Sequence, residues 1–415
     1  PMSYGGFSSQ GYTQITEYIG SFDGNATPAG SLSNPFPSGL LKPVGNGLGY
    51  LAGVGQSISF IDQNATGTRV HQFSFDVQRQ LPGGVALAVG YVGSRTTNLI
   101  LGTGSYNLNQ LRPEHLALGA GLNQQVDNPF FGRAGAIGVI APARITRSQA
   151  LRPFPQYGAV TLQFDDFNTA RYDSLAVKAQ KRFATGLMFL GAWTWSRNYD
   201  ASFGAGNFFS GSSASPQDIY NLGGEYGLSL TDSPHRFSGT FSYELPFGKG
   251  KRWLGSNRIL DYAVGGWQVN GVTIYQTGFP LALTQNNNLN SVIGAGVQRP
   301  NATGVSAATS GNLMSRLDNY LNPAAFTVTP QFTFGNVTRT IPNRGPGQVN
   351  WDISILKTFV VWENFKAQFR AEAMNAFNTP YFNGPNTAVG NASFGRITRQ
   401  ANFPRYVQLG VRFFF

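Results

Sequence analysis

Polar and apolar residues alternate with a period of two in runs of about ten residues, and turn residues bound each run. Phe73, Phe75 and Val77 alternate with Gln72, Ser74, Asp76 and Gln78. Pro82-Gly83-Gly84 then turns the chain into Val85, Leu87, Val89 and Tyr91, opposed by Ala86, Ala88 and Gly90. Leu175, Val177 and Ala179 repeat the unit. After Ala184-Thr185-Gly186 come Leu187, Phe189, Gly191, Trp193 and Trp195. Phe237, Phe241 and Tyr243 share a face between Arg236 and Leu245. Further runs lie at Trp351 to Leu356, at Ala367 to Ala373 and at Val407 to Phe415, and a first one is expected near Tyr12 to Gly20. Around Trp267 the parity slips: Trp267 and Val269 share one face, Val272 and Ile274 the other. This predicts a bulge near Asn270-Gly271.

These runs predict an all-β chain, an antiparallel transmembrane β-barrel in meander order, with about ten strands over residues 1–415 as a single domain. Short connections at Pro82 to Gly84, Ala184 to Gly186 and Val361 to Asn364 alternate with long ones at about 21–67, 96–170, 199–234, 281–349 and 383–404. Gly248 to Gly265 is intermediate. Outer-membrane barrels keep short turns in the periplasm and long loops outside, so the C-terminus is expected on the periplasmic side. Tyr91, Trp193, Trp195, Tyr243, Phe247, Trp267, Trp351 and Trp362 suit interfacial aromatic girdles. A soluble propeller or sandwich also alternates, but it has no reason to segregate its loop lengths.

Composition agrees with this reading. Only 12% of the 415 residues are charged, half the share of an ordinary soluble domain. Cysteine is absent, which excludes disulfides, thiolate metal sites and thiol catalysis. The net charge of +11 is scattered apart from Lys249, Lys251 and Arg252, and no RNA- or DNA-binding motif is present. No apolar run is long enough for a membrane helix. Pro1 is not a native start, so the chain is expected to be truncated or processed, with any export signal upstream.

Several segments, in their order, resemble TonB-dependent outer-membrane receptors with an Oar-like β-barrel. They are Asn34-Pro-Phe36 onward to Ile61, Asp232-Ser-Pro-His-Arg-Phe237, Glu244-Leu-Pro-Phe-Gly248, Gly266-Trp-Gln268 and Gly278-Phe-Pro280. Further on come Tyr320-Leu-Asn-Pro-Ala-Ala-Phe326, Phe334-Gly-Asn336, Arg344-Gly-Pro346 leading into Asn350 to Lys357, and Phe369 to Asn378. The resemblance implies a barrel of about 22 strands, of which this chain is the C-terminal portion, with the plug and N-terminal domain absent. It implies uptake of an unidentified ligand, driven by the TonB system through the missing N-terminal part. A passive porin-like channel and a surface adhesion or binding barrel remain the alternatives. Outer-membrane lipid and the barrel assembly machinery are the other expected partners.

No catalytic, cofactor or metal site is expected, and the chain does not read as an enzyme. Asp232, Ser233 and His235 are too nearly consecutive to converge as a triad and read as a strand-entry turn. Gly45 to Gly49 lacks the strand–turn–helix setting of a phosphate loop. Asp62, Asp165 and Asp166 lack a calcium-loop pattern. Asp352, Arg370, Glu372 and Arg412 have the parity of the polar face and are expected to form a charge cluster in the lumen. Charges facing lipid at mid-membrane cost about 2–4 kcal/mol. Such a cluster either supports the wall or lines a ligand path. Val407, Leu409, Val411, Phe413 and Phe415 form an apolar, aromatic-ended last strand similar to the signal read by the assembly machinery.

Overall fold

The computed structural model describes residues 16, 18, 20–21, 27–28, 31–37, 39–43, 45–47, 49–51, 53–99, 106–133, 136–163, 166–184, 186–201, 215–254, 258–362 and 365–415. Nine long strands form one antiparallel meander: β1 (Arg69–Leu81), β2 (Val85–Leu99), β3 (Asn168–Ala184), β4 (Leu187–Asp200), β5 (His235–Glu244), β6 (Trp267–Gln276), β7 (Gln348–Val360), β8 (Lys366–Met374) and β9 (Tyr406–Phe414). Each pairs with its sequence neighbours, and the short strand Gly227–Leu228 joins β4 as a tenth member of the sheet. The long strands run from 9 to 17 residues, and a tilted strand crosses a bilayer in about 9–11. The strand expected near Tyr12 to Gly20 lies outside the described residues, apart from Thr16, Tyr18 and Gly20, which are in no strand. The sheet is open: among the described residues, no ladder joins β1 to β9.

Register carries the alternation from strand to strand. Gln78, Ala88, Lys178, Ala192 and Ser238 are successive cross-strand partners, as are Asn270, Ser354 and Glu372 farther along. These residues share one face with Ser74, Asp76, Thr240 and Ser242, which makes that face polar. The opposite face carries Phe75, Tyr91, Leu175, Trp195 and, farther along, Phe241, Ile355, Ala371 and Leu409. A shift of one residue in any strand would exchange the two sets, so a buried or lipid-covered apolar face pins the register.

The bulge expected near Asn270-Gly271 is absent. β6 pairs without interruption with β5 and with β7. The parity slip instead places Val272 and Ile274 on the polar face and Gly271 on the apolar one. The cause lies across the ladder: a Cβ on Gly271 would stand 2.3 Å from the ring of its partner Phe241. Gly93 lies under Phe73 in the same way. The large ring covers a residue that offers no side chain, and the apolar surface is continuous without a bulge. Within this sheet, among the described residues, register shifts lie near strand ends, between Thr96 and Leu99 and between Lys181 and Ala184.

Three of the sheet's connections are short and one is intermediate. The short helix Arg258–Val264 lies in the intermediate one, where the alternation predicted only a turn. The long connections all leave from the other end of the strands. They are not simple loops. They carry short strand pairs, 3-10 turns and both hydrophobic cores formed by the described residues.

Candidate ligand-binding layer

Among the described residues the largest fully buried side chains are Tyr106, Leu111, Leu122, Leu283, Ile293, Leu321, Gln110, Glu225, Asn109, Asn290 and Thr329, and all of them lie in the long connections. One core gathers Leu281, Leu283, Leu321, Phe326, Phe382 and Phe394, from the connections after β6 and after β8. A second joins Leu111 and Leu122, which follow β2, to Ile293 and Phe332, which follow β6. Ile58–Ile61, before β1, pairs in parallel with Val160–Gln163, before β3. These contacts join four long segments, and bonds between Gln110 and the Asp218–Ile219 pair add the one after β4, so five fold into one cross-linked layer at one end of the sheet.

Polar side chains provide most of the ties between them. Glu225 is 2% exposed. Its carboxylate accepts from Arg299 Nη1 at 2.7 Å and from the Gln217 backbone N–H at 3.0 Å. Arg339 donates to the Glu225 carbonyl at 2.6 Å and to the Asp200 carboxylate at 2.6 Å. Burial holds the Arg339 guanidinium below its ordinary pKa in spite of Asp200 beside it. Gln110 donates to Asp218 at 2.6 Å and accepts from the Ile219 N–H at 3.0 Å, which joins the segment after β2 to the one after β4. Asn109 donates to the carbonyls of Phe154, Tyr157 and Gly158. Arg152 donates to the carbonyls of Gly158 and Val292, and burial lowers its pKa to about 10. Tyr320 donates to the Arg344 carbonyl at 2.8 Å, and burial raises the pKa of its phenol. Buried polar groups of this kind cost free energy unless each finds a partner; here, among the described residues, the nitrogens Arg152 Nε and Arg299 Nε lack one and the rest of these groups are paired, so the network selects one arrangement of the segments.

Two motifs singled out in the sequence meet here. The Asp232 carboxylate is fully covered and is held by Arg344, with Arg197 at 3.6 Å, and it accepts from the Asn198 N–H at 2.6 Å. Asp232 of the Asp-Ser-Pro-His segment is thereby tied to Arg344 of the Arg-Gly-Pro segment. Ser233 Oγ bonds to Thr277, and His235 stacks on Trp193 with ring centroids 5.8 Å apart. Each member of the apparent triad has a separate partner. Asp166 accepts from Thr66 N–H and Oγ1, both at 2.8 Å, and these bonds hold its carboxyl below the usual range. Asp62 accepts from the Asn64 N–H. Asp165 lies outside the described residues.

The four charges assigned to the polar face all lie on the face of Gln78 and Ser354. Arg370 and Glu372 form an ion pair along one strand at 2.9 Å. Asp352 accepts from Asn350 Nδ2 at 3.0 Å and from the Asn375 N–H at 2.8 Å, which closes the end of the β7–β8 pair. The Arg412 guanidinium lies 4.8 Å from the Phe414 ring. Among the described residues no ion pair joins Asp352 or Arg412 to the other two. On the opposite face of the last strand, Phe413 and Phe415 both stack on Phe365, at 5.8 and 5.7 Å.

Sequence reasoning did not find Glu225, Arg299, Arg339 or the buried glutamines. Partners such as Glu225 and Arg299 are 74 positions apart, and no periodic pattern surrounds either of them. The available signal was negative: isolated charges in segments otherwise poor in charge.

An antiparallel meander with one apolar and one polar face, strands long enough to cross a bilayer and long connections gathered at one end define a β-barrel protein of the outer-membrane type. The chain belongs to the outer membrane beta barrel domain family, whose pattern matches residues 2–408. No curated protein matches the chain. Among solved structures, it is similar to the outer membrane transporter YddB from Escherichia coli, with 8% identity and a TM-score of 0.42 over 86% of this chain and 34% of that one. It is also similar to the pyoverdine outer membrane receptor FpvA from Pseudomonas aeruginosa PAO1, with 11% identity and a TM-score of 0.36 over 83% and 30%. A third is the FrpB iron transporter from Neisseria meningitidis, with 10% identity and a TM-score of 0.33 over 86% and 32%. The chain spans about a third of the length of each of these proteins.

Proposed function

We propose that this barrel is the wall and ligand-capturing end of a TonB-dependent outer-membrane receptor. The observation that carries the reading is the cross-linked loop layer, in which the buried Glu225 and Asp232 are held in ion pairs by the buried Arg299 and the half-buried Arg344. A receptor gains affinity from a fixed outer surface whose ordering entropy is already spent, and passive diffusion has no such requirement. The order of motifs resembling that receptor family supports the same reading. In it, the polar face lines the lumen and the apolar face meets lipid. The segments at about 21–67, 96–170, 199–234, 281–349 and 383–404 lie outside the cell, and the C-terminus lies in the periplasm. Asp352, Arg370, Glu372 and Arg412 stand on the lumen wall, where they support it and face any passing ligand. The role is binding and transport, with Asp232, Ser233 and His235 serving structure.

Genetic epistasis tests this without knowledge of the ligand. Cells lacking the gene are grown over a nutrient panel in TonB-active and TonB-deficient backgrounds. A receptor predicts growth defects that vanish when TonB is already absent. Defects of equal size in both backgrounds would establish a passive channel and sink the proposal.

A further inference from the structure

The apolar face does not stay apolar to the ends of the strands. Its rows can be read across the ladder. Val77, Val89, Val177 and Trp193 form one row, and Phe75, Tyr91, Leu175 and Trp195 form the next toward the loop layer. The following row is Phe73, Gly93, Asp173 and Arg197, and above it come His71, Arg95, Arg171 and Tyr199. Arg69 lies one step farther along β1. Within two rows the same face therefore changes from aromatic and aliphatic to strongly basic.

The basic rows are short of acid. Arg95 and Arg171 share the single carboxylate of Asp173, each at 2.7 Å, and Tyr91 donates to it at 2.5 Å. Arg197 turns to the buried Asp232. Arg69 is exposed and has no ion pair among the described residues. The Arg171 side chain is 57% exposed, and the Arg95 guanidinium sits over the Phe73 ring at 5.4 Å. Structural charges that served only the fold would be balanced or turned to the polar face. These point the way the lipid-compatible residues point, and Arg95 and Arg171 stand two rows above an aromatic girdle.

We propose that this rim, formed by Arg69, His71, Arg95 and Arg171 above Phe75, Tyr91, Leu175 and Trp195, binds the phosphate of an anionic lipid in the leaflet next to the loop layer. The guanidiniums take the headgroup, since their planar fork suits phosphate oxygens. The girdle below takes the first part of the acyl chains. Asp173 holds Arg95 and Arg171 in place and leaves their outer N–H groups free of a second carboxylate. The proposal rests on the reading that the apolar face meets lipid.

Native mass spectrometry of the purified full chain in detergent, titrated with short-chain phosphatidylglycerol or phosphatidylcholine, tests it. Phosphatidylglycerol should bind in preference. Arg69→Gln/Arg171→Gln should weaken it by about fivefold for each cation removed, while Arg69→Lys/Arg171→Lys should retain most of the binding. Equal binding of the two lipids to the wild type would overturn the proposal, as would undiminished preference in the glutamine variant. Full displacement by inorganic phosphate would also overturn it, by marking a site for free anions. Binding of neither lipid would instead sink the lipid-facing reading itself. Heat-modifiable gel mobility, unchanged in both variants, keeps misfolding apart from loss of the site.

Discussion

Glu225 shows how a single side chain organises this molecule. It is buried, it neutralises Arg299, and its backbone receives Arg339. Removing one member of a buried pair strands the other, which costs about 3–5 kcal/mol, far more than the pair contributes over an apolar replacement. Glu225→Ala should therefore loosen the loop layer and leave the sheet intact. Limited proteolysis should cut within the segments after β4 and β6 in the variant, with gel mobility of the unheated barrel unchanged. Cleavage no faster than in the wild type would show that the hydrophobic cores hold the layer without the ion pair. At this scale the sequence was only partly legible. Parity placed Arg370, Glu372, Asp352 and Arg412 on one face because it is a local property of each strand. The same reasoning had no access to Glu225 and Arg299, which belong to segments without a period. It misjudged Asn270-Gly271, because the ring of Phe241 that fills the gap sits on another strand.

The strands were legible as elements and the connections were not. Alternation recovers β1 to β9 because each strand separates two environments, and two environments leave a period of two in the residues. The long segments fold on nonlocal contacts, such as Leu111 with Ile293 or Leu281 with Phe382. They leave no period and read as loops. Among the elements, β9 carries a further prediction. Val407, Leu409, Val411 and Phe413 lie on the apolar face, and Phe415 is 97% exposed apart from its stack on Phe365. Its burial in lipid is worth about 1–3 kcal/mol, a modest share of the stability of a large barrel. We propose that the apolar positions of β9 and Phe415 act as the signal for the assembly machinery. Phe415→Ala should then lower the amount of barrel assembled in the outer membrane severalfold, measured by cell-surface labelling, with little change in the urea midpoint of the fraction that assembles. Normal surface levels would reduce Phe415 to an interfacial anchor.

For the molecule as a whole, the account rests on one asymmetry. A single continuous sheet has a polar face and an apolar face, and its cores lie in the loop layer rather than against either face. A soluble protein with this sheet would leave Phe75, Val77, Leu409 and Val411 in water, where all four are more than half exposed. Exposed apolar surface on that scale requires a cover, and family membership identifies the cover as the outer membrane. Among the described residues the two edge strands, β1 and β9, each pair on one side only, and a membrane tolerates no unpaired edge in contact with lipid. In the proposed receptor further strands pair with both. The absence of cysteine makes the central claim directly measurable, since every introduced thiol is unique. Spin labels placed one at a time at positions 367 to 373 of β8, in the reconstituted protein, report access to oxygen in lipid and to a nickel chelate in water. The account predicts oxygen maxima at 367, 369, 371 and 373 and nickel maxima at 368, 370 and 372. Uniform access along the strand, or the same alternation with its phase reversed, would contradict it.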